Sequence, residues 1–155
     1  MDSYDLELAF FERLITLTYN NLETYRPDEI IDLSKLAKNV SARRGTIVSP
    51  VPDFWYFGNG VGTRVAGTYQ IDIWVPRGNY NALGDEAGAL KQLKNMSDAH
   101  LAHFFPENGR GLTVTKNSTS AHITKRPSQT PMSREGSYLR EMIEIEFFAD
   151  ILASA

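Results

Sequence analysis

Gly67-Thr68-Tyr69-Gln70-Ile71-Asp72-Ile73-Trp74-Val75-Pro76, followed at once by Arg77-Gly78, is the stretch that decides the fold class. Strand side chains point to opposite faces in turn. Val65, Gly67, Tyr69, Ile71, Ile73 and Val75 therefore share one face, and Arg64, Thr68, Gln70, Asp72 and Trp74 share the other. The strand is expected from Thr63 to Val75, ended by Pro76-Arg77-Gly78-Asn79. A second run of the same texture, Leu139 to Asp150, closes the chain with Ile143, Ile145 and Phe147 inward and Glu144 and Glu146 outward. Between them, Leu83, Ala87, Leu90, Leu93, Leu101 and Phe104 recur at helical spacing, predicting a helix over Ala82 to Phe105 that Pro106 and Gly109 stop.

Working outward, Leu6, Phe10, Leu14 and Leu17 form one apolar stripe and predict a first helix from Ser3 to about Tyr25. Phe11, Ile15 and Leu22 widen that stripe, so the helix is expected to be buried on more than one side. Asp32 to Gly62 reads as irregular: Thr46-Ile47-Val48 and Phe54-Trp55-Tyr56-Phe57 have strand composition, but Pro50 and Pro52 argue against one continuous central strand. Leu112 to Thr115 and Ala121 to Lys125 flank a polar turn and predict a hairpin. Arg126 to Gly136, with Pro127, Pro131 and Gly136 among polar residues, reads as a long exposed loop. The order α, irregular, β, α, β, β, β predicts a single α+β domain over residues 1–155. Its expected form is an antiparallel or mixed sheet of four to five strands with two main helices packed on one face.

Composition narrows the function classes. A chain of 155 residues with 42% hydrophobic and 23% charged residues is ordinary for one globular domain. A net charge of −3 argues against a dedicated nucleic-acid binder. Zero cysteines exclude disulfides, thiol catalysis and cysteine-ligated zinc. The acidic start lacks the basic region of a secretory signal, and no apolar run approaches the roughly 20 residues of a membrane-spanning helix, so a soluble intracellular protein is expected.

The order Gly62-x-Arg64-x-x-Gly67-x-Tyr69-Gln70-Ile71-Asp72-Ile73-Trp74-Val75-Pro76-x-Gly78 is followed by a helix ending in His103-Phe104-Phe105-Pro106. A short hairpin and a closing Glu144-Ile145-Glu146-Phe147-Phe148-Ala149-Asp150 complete the pattern. In this order the chain resembles the tail-terminator-like (tail-completion, minor tail) proteins of long-tailed bacteriophages, over about Gly62 to Asp150. The resemblance implies a non-enzymatic virion structural protein without cofactor. It would form a homo-oligomeric ring, usually a hexamer, that caps the tail tube and joins the head-completion proteins. The implied partners are further copies of itself, the tube protein and a head-completion or connector protein. DNA would pass through the lumen without specific binding, at the head-proximal end of the virion tail, after assembly in the host cytoplasm. It also implies an extended strand where Phe54 to Phe57 lie. Another head–tail connector or tube component, or a small carboxylate-dependent hydrolase, are the alternative readings.

No residue set singles out a catalytic centre. Glu141, Glu144, Glu146 and Asp150 crowd the last strand, with Asp72 on the other; paired carboxylates can do acid–base work if one is desolvated. These carboxylates are expected to occupy the solvent phase of the alternating strands, forming a charged face turned to solvent, a channel or a neighbouring subunit. His100 and His103 stand three apart on a helix, but two histidines with only Asp98 and Glu107 nearby fall short of a metal site and serve as readily to complement the helix C-terminus. Lys35, Lys38, Arg43 and Arg44 form one basic cluster and Lys125, Arg126 and Arg134 a second; either is plain surface charge or a complement to an acidic face on an adjacent copy. Trp74 falls on the polar face and is either an interface anchor or covered by another part of the chain. The aromatic run at Phe54 and Trp55 raises the same choice. The interface candidates are thus Trp74, Glu144, Glu146, Arg126, Arg134, Arg43, Arg44, Phe54 and Trp55.

Overall fold

A computed structural model of the chain describes residues 3–36, 39–57, 60–77, 85–106, 112–124 and 127–152; for 3, 49, 51–57, 60–63, 85–86 and 151–152 the description covers the backbone alone. The elements run α1 (Ser3–Ile15), β1 (Leu22–Tyr25), a 3-10 turn (Leu33–Lys35), β2 (Ser41–Phe57), β3 (Gly60–Pro76), α2 (Asp85–Phe104), β4 (Thr113–Lys116), β5 (Thr119–Ile123), β6 (Ser128–Gln129), β7 (Ser133–Glu135) and β8 (Tyr138–Leu152). The fold is α+β, with a mixed sheet of eight strands in the order β1-β2-β3-β8-β5-β4 and with β6 and β7 also pairing β8. Only β1 against β2 is parallel. The sheet therefore has eight strands where four to five are expected, because β2 and the short edge strands β1, β6 and β7 join it.

β3 and β8 are the spine. They pair antiparallel from Gly62↔Leu152 to Pro76↔Tyr138 without a break. The other edge of β8 is taken in turn by β5, β6 and β7, so the closing strand is central along its whole length. The alternation holds as read. Val65, Tyr69, Ile71, Ile73, Val75, Leu139, Ile143, Ile145, Phe147 and Ala149 all enter one buried cluster with Leu6, Phe10 and Leu14 of α1 and Leu93, Met96 and Phe104 of α2. Phe10 stacks on Tyr69 with ring centroids 4.4 Å apart and lies 4.9 Å from Phe147. On α2 the packing stripe is Ala89, Leu93, Met96, His100 and Phe104, while Ala87 is exposed.

Three expectations are corrected. The first helix ends at Ile15 rather than near Tyr25. Thr16 and Leu17 close it with tight turns onto the carbonyls of Arg13 and Leu14, and Asn21 takes a left-handed φ of 57° that lets the chain enter β1. Asp32 to Gly62 is mostly ordered strand: β2 pairs β3 along its length, and the two prolines are accommodated by a one-residue register shift between Val48 and Val51. Of the expected loop Arg126 to Gly136, Arg126 lies outside the described residues. From Ser128 to Gly136 most side chains are exposed, but Pro127 is buried, Met132 packs on the core, and the backbone lies on the edge of β8 as β6 and β7 before a turn in which Gly136 has φ 58°. The hairpin of β4 and β5 is present, tightened to a turn at Asn117-Ser118.

α1 touches β2 at one side of the sheet and β4 and β5 at the other. Glu7 accepts the amide of Ile47, and Glu12 pairs with Lys116 at 2.7 Å. The sheet thus curls about α1, which packs between β2 and the β4–β5 hairpin.

Candidate functional site

The sheet's two faces hold different chemistry. On the helix face sits a buried polar hub centred on Arg43 of β2. Its guanidinium donates from Nη1 to His100 Nε2 at 2.8 Å, from Nε to Thr24 Oγ1 at 2.8 Å and from Nη2 to the Leu17 carbonyl at 2.6 Å. Because arginine only donates, His100 Nε2 must accept, which leaves its proton on Nδ1 to donate to the Met96 carbonyl at 2.6 Å. Tyr19 stacks over the same imidazole. Burial pushes His100 down to about 4, with the Arg43 charge adding to the effect against the Met96 carbonyl, and burial lowers Arg43 to about 10. One side chain thereby ties together β1, β2, the turn after α1, and α2.

His103 serves a second clasp. Its Nε2 bonds the Arg13 carbonyl at 2.7 Å, while Arg13 Nη2 donates to the His103 carbonyl at 2.8 Å, joining the C-terminal ends of the two helices. The pair His100 and His103 is thus divided between two internal networks. Among the described residues no group of three or more His, Asp or Glu is placed to hold a metal ion.

The reverse face carries the remaining candidates. Trp74 is 7% exposed, packed with Ala42 and Tyr138 beneath Tyr25, Ile31, Leu33 and Leu36. The strap between β1 and β2 covers it, so it is no surface anchor of the free chain. Arg43 is likewise withdrawn from the basic surface cluster: it is 3% exposed in the hub above. Arg44, half-buried, reaches the Glu29 carbonyl at 3.3 Å and helps hold the strap. Asp72 is buried and paired with Arg140 at 2.6 Å, and the Arg140 guanidinium sits 5.2 Å from the Trp74 ring centre. Glu141 falls on the helix face instead, buried and paired with Lys94 at 2.7 Å. Both buried carboxylates are therefore engaged by cations, as their desolvation demands.

Glu144 and Glu146 stand two apart on β8, opposite Gln70 and Thr68 of β3, with Glu146 exposed and Glu144 half-buried. Beyond them Arg64 lies 4.2 Å over the Phe148 ring and 3.4 Å from Asp150. Arg134 is exposed on β7 at the far edge of β8. Arg126 and the side chains of Phe54 and Trp55 lie outside the described residues; the backbone of the latter two pairs with Thr63 and Gly62. The structure brings Glu144 and Glu146 together as one acidic patch and scatters the other candidates. Sequence reasoning missed the hub, although His100 falls in register with Leu93, Met96 and Phe104, the signal that it points inward.

No family model and no curated protein matches the chain. Among solved structures 11 chains match. One of them, a protein without a descriptive name, superposes with a TM-score of 0.56 at 13% identity, covering 100% of this chain and 98% of that one. The fold is therefore shared over the whole length, and the likeness extends to fold alone. No described helix is long and apolar enough to cross a membrane.

Proposed function

We propose that the chain is a ring-forming virion structural subunit, a tail terminator that caps a phage tail tube and meets the head-completion proteins. The observation that supports this most is the outer edge of β2. β1 covers it only from Ser41 to Arg44, and no described strand pairs with it from Gly45 to Phe57. An edge of that length is a template for pairing with another copy. It is also restrained. Glu7 takes the Ile47 amide, and the register shift and prolines at 50 and 52 interrupt the flat run. Such restraints keep premature association weak, so that copies join when a tube end aligns them.

In this reading the acidic pair Glu144 and Glu146 lines a path for DNA or meets a basic loop on the next copy. Carboxylates there repel phosphate, allowing DNA to slide without sticking. Assembly on the virion tail, after folding in the host cytoplasm, follows from the same reading. Electron microscopy and light scattering on the purified chain, alone and with tube ends, test it. Closed rings that stop at one layer support a terminator. Stacks growing into tubes would reassign it to the tube, and monomers under every condition would remove the ring.

A further inference from the structure

α1 carries a second apolar ridge, separate from the stripe it buries. Tyr4, Leu8, Phe11 and Ile15 follow one another at steps of four, three and four, the spacing of a single helix face. The buried residues of the helix are Leu6, Ala9, Phe10 and Leu14. On the ridge, Tyr4 is 64% and Ile15 43% exposed, with Leu8 and Phe11 half-buried. Beside it runs an open groove of about 220 Å³ between Tyr4, Glu7, Leu8 and Phe11 on one wall and Arg26, Pro27 and Asp28 on the other. An exposed apolar ridge with an adjoining groove marks a protein-docking surface.

Charge selects the occupant. At 100° per residue, Asp5 and Glu12 flank the ridge on its β4 side and Glu7 flanks it on its β2 side. Asn117 of the β4–β5 hairpin holds Asp5 and the Ile47 amide holds Glu7, while Lys116 ion-pairs with Glu12 at 2.7 Å and offsets its charge, so Asp5 and Glu7 carry the acidity of the two flanks. The opposite wall carries both signs, with the Asp28 carboxylate and the Arg26 guanidinium exposed, so the groove's excess acidity comes from Asp5 and Glu7 on the helix side. We infer that this ridge and groove receive a cationic amphipathic segment of another protein, its apolar face on Tyr4, Leu8 and Phe11 and its lysines or arginines over the acidic flanks. A second copy docking α1 on α1 would set acid against acid, and an anionic bilayer would meet the same repulsion. The surface meets the β2 edge at Glu7, which holds the Ile47 amide, so the variants that test it, at Leu8 and Asp28, leave that hydrogen bond in place and read docking apart from ring formation.

The test uses the full chain and two synthetic helical peptides that share a leucine ridge, one flanked by lysines and one by glutamates, read by amide chemical shifts. The lysine peptide is expected to shift amides of α1 and of 26–28 and to bind roughly tenfold tighter than its glutamate counterpart. Leu8→Ser and, separately, the exposed-turn change Asp28→Lys should each weaken it by roughly tenfold, the scale of a hot-spot truncation, in chains whose remaining amide spectrum is unchanged. Equal binding of both peptides, or shifts confined to other surfaces, would overturn the inference. So would binding to phosphatidylserine vesicles in place of the peptide, or an oligomer that Leu8→Ser dissolves while neither peptide binds.

Discussion

The helix-covered face of the sheet and its reverse are made by the same strands, yet they are secured differently. On the first, residues spread over α1, β3, α2 and β8 converge in one aromatic and aliphatic cluster, pinned by Arg43 and His100. On the second, a smaller group of Ala42, Trp74 and Tyr138 lies beneath a strap whose long-range hydrogen bonds among the described residues are few and long: Arg44 to Glu29 at 3.3 Å and Tyr138 to Leu33 at 3.5 Å. Farther along, the reverse face is left to Glu144, Glu146 and the Arg64–Asp150 pair. One face is built to hold the chain together. The other can give way, at its strap or at its edge, without costing the fold.

Breaking the first face should have the largest effect. Phe10→Ala removes a ring that touches Tyr69, Phe104 and Phe147, and about 3–5 kcal/mol of stability should go with it in denaturant titration. Trp74→Ala removes a ring of greater volume but from beneath a strap that can settle into the space, so a smaller loss of about 2 kcal/mol is expected. Equal losses would mean that the strap is as integral as the helices. Gly45→Ala probes the helix-covered face where β2 meets Tyr69. A Cβ there collides with the Tyr69 hydroxyl, and overpacking should cost about 1–3 kcal/mol.

The buried hub gives the comparison a pH signature. His100 is held neutral with its pKa lowered to about 4, so the unfolded chain binds its proton first as pH falls. Stability from this group is therefore complete above about 6.5 and declines toward pH 4, by up to roughly 1.4 kcal/mol per unit. Glu7 opposes it, because burial raises its carboxyl and the folded chain gains that proton more readily. The difference in slope between the native chain and His100→Asn isolates the histidine. Identical slopes would refute the neutral, arginine-accepting imidazole. The smallest effect belongs to the reverse face: Glu146→Lys is exposed and should move monomer stability by under about 0.5 kcal/mol, while interfering with ring formation.

How much was legible follows the same division. β3, β8 and α2 were readable because their apolar residues repeat at periods of two and 3.6, which local sequence displays directly. β2 was not, since Pro50 and Pro52 look like breaks until a partner strand supplies the ladder and a register shift absorbs them. The end of α1 depends on Asn21 adopting a left-handed turn, which composition alone does not compel. For the candidate sites, Arg43 reads as surface charge because its stabilising partner, His100, is 57 residues away. Trp74 is left open between anchor and covered residue because its cover comes from the strap, through contacts no local pattern records.

The proposed ring requires the β2 edge to be free in the single chain and filled in the assembly. Amide hydrogen exchange over Gly45 to Phe57, measured on the isolated chain and on assembled rings, decides between the two states. The outward amides of that edge should exchange quickly in the isolated chain and slowly in the ring, while those of Tyr69 to Ile73 and Ile143 to Phe147 stay protected in both. Outward β2 amides with the same protection in both states would contradict the claim.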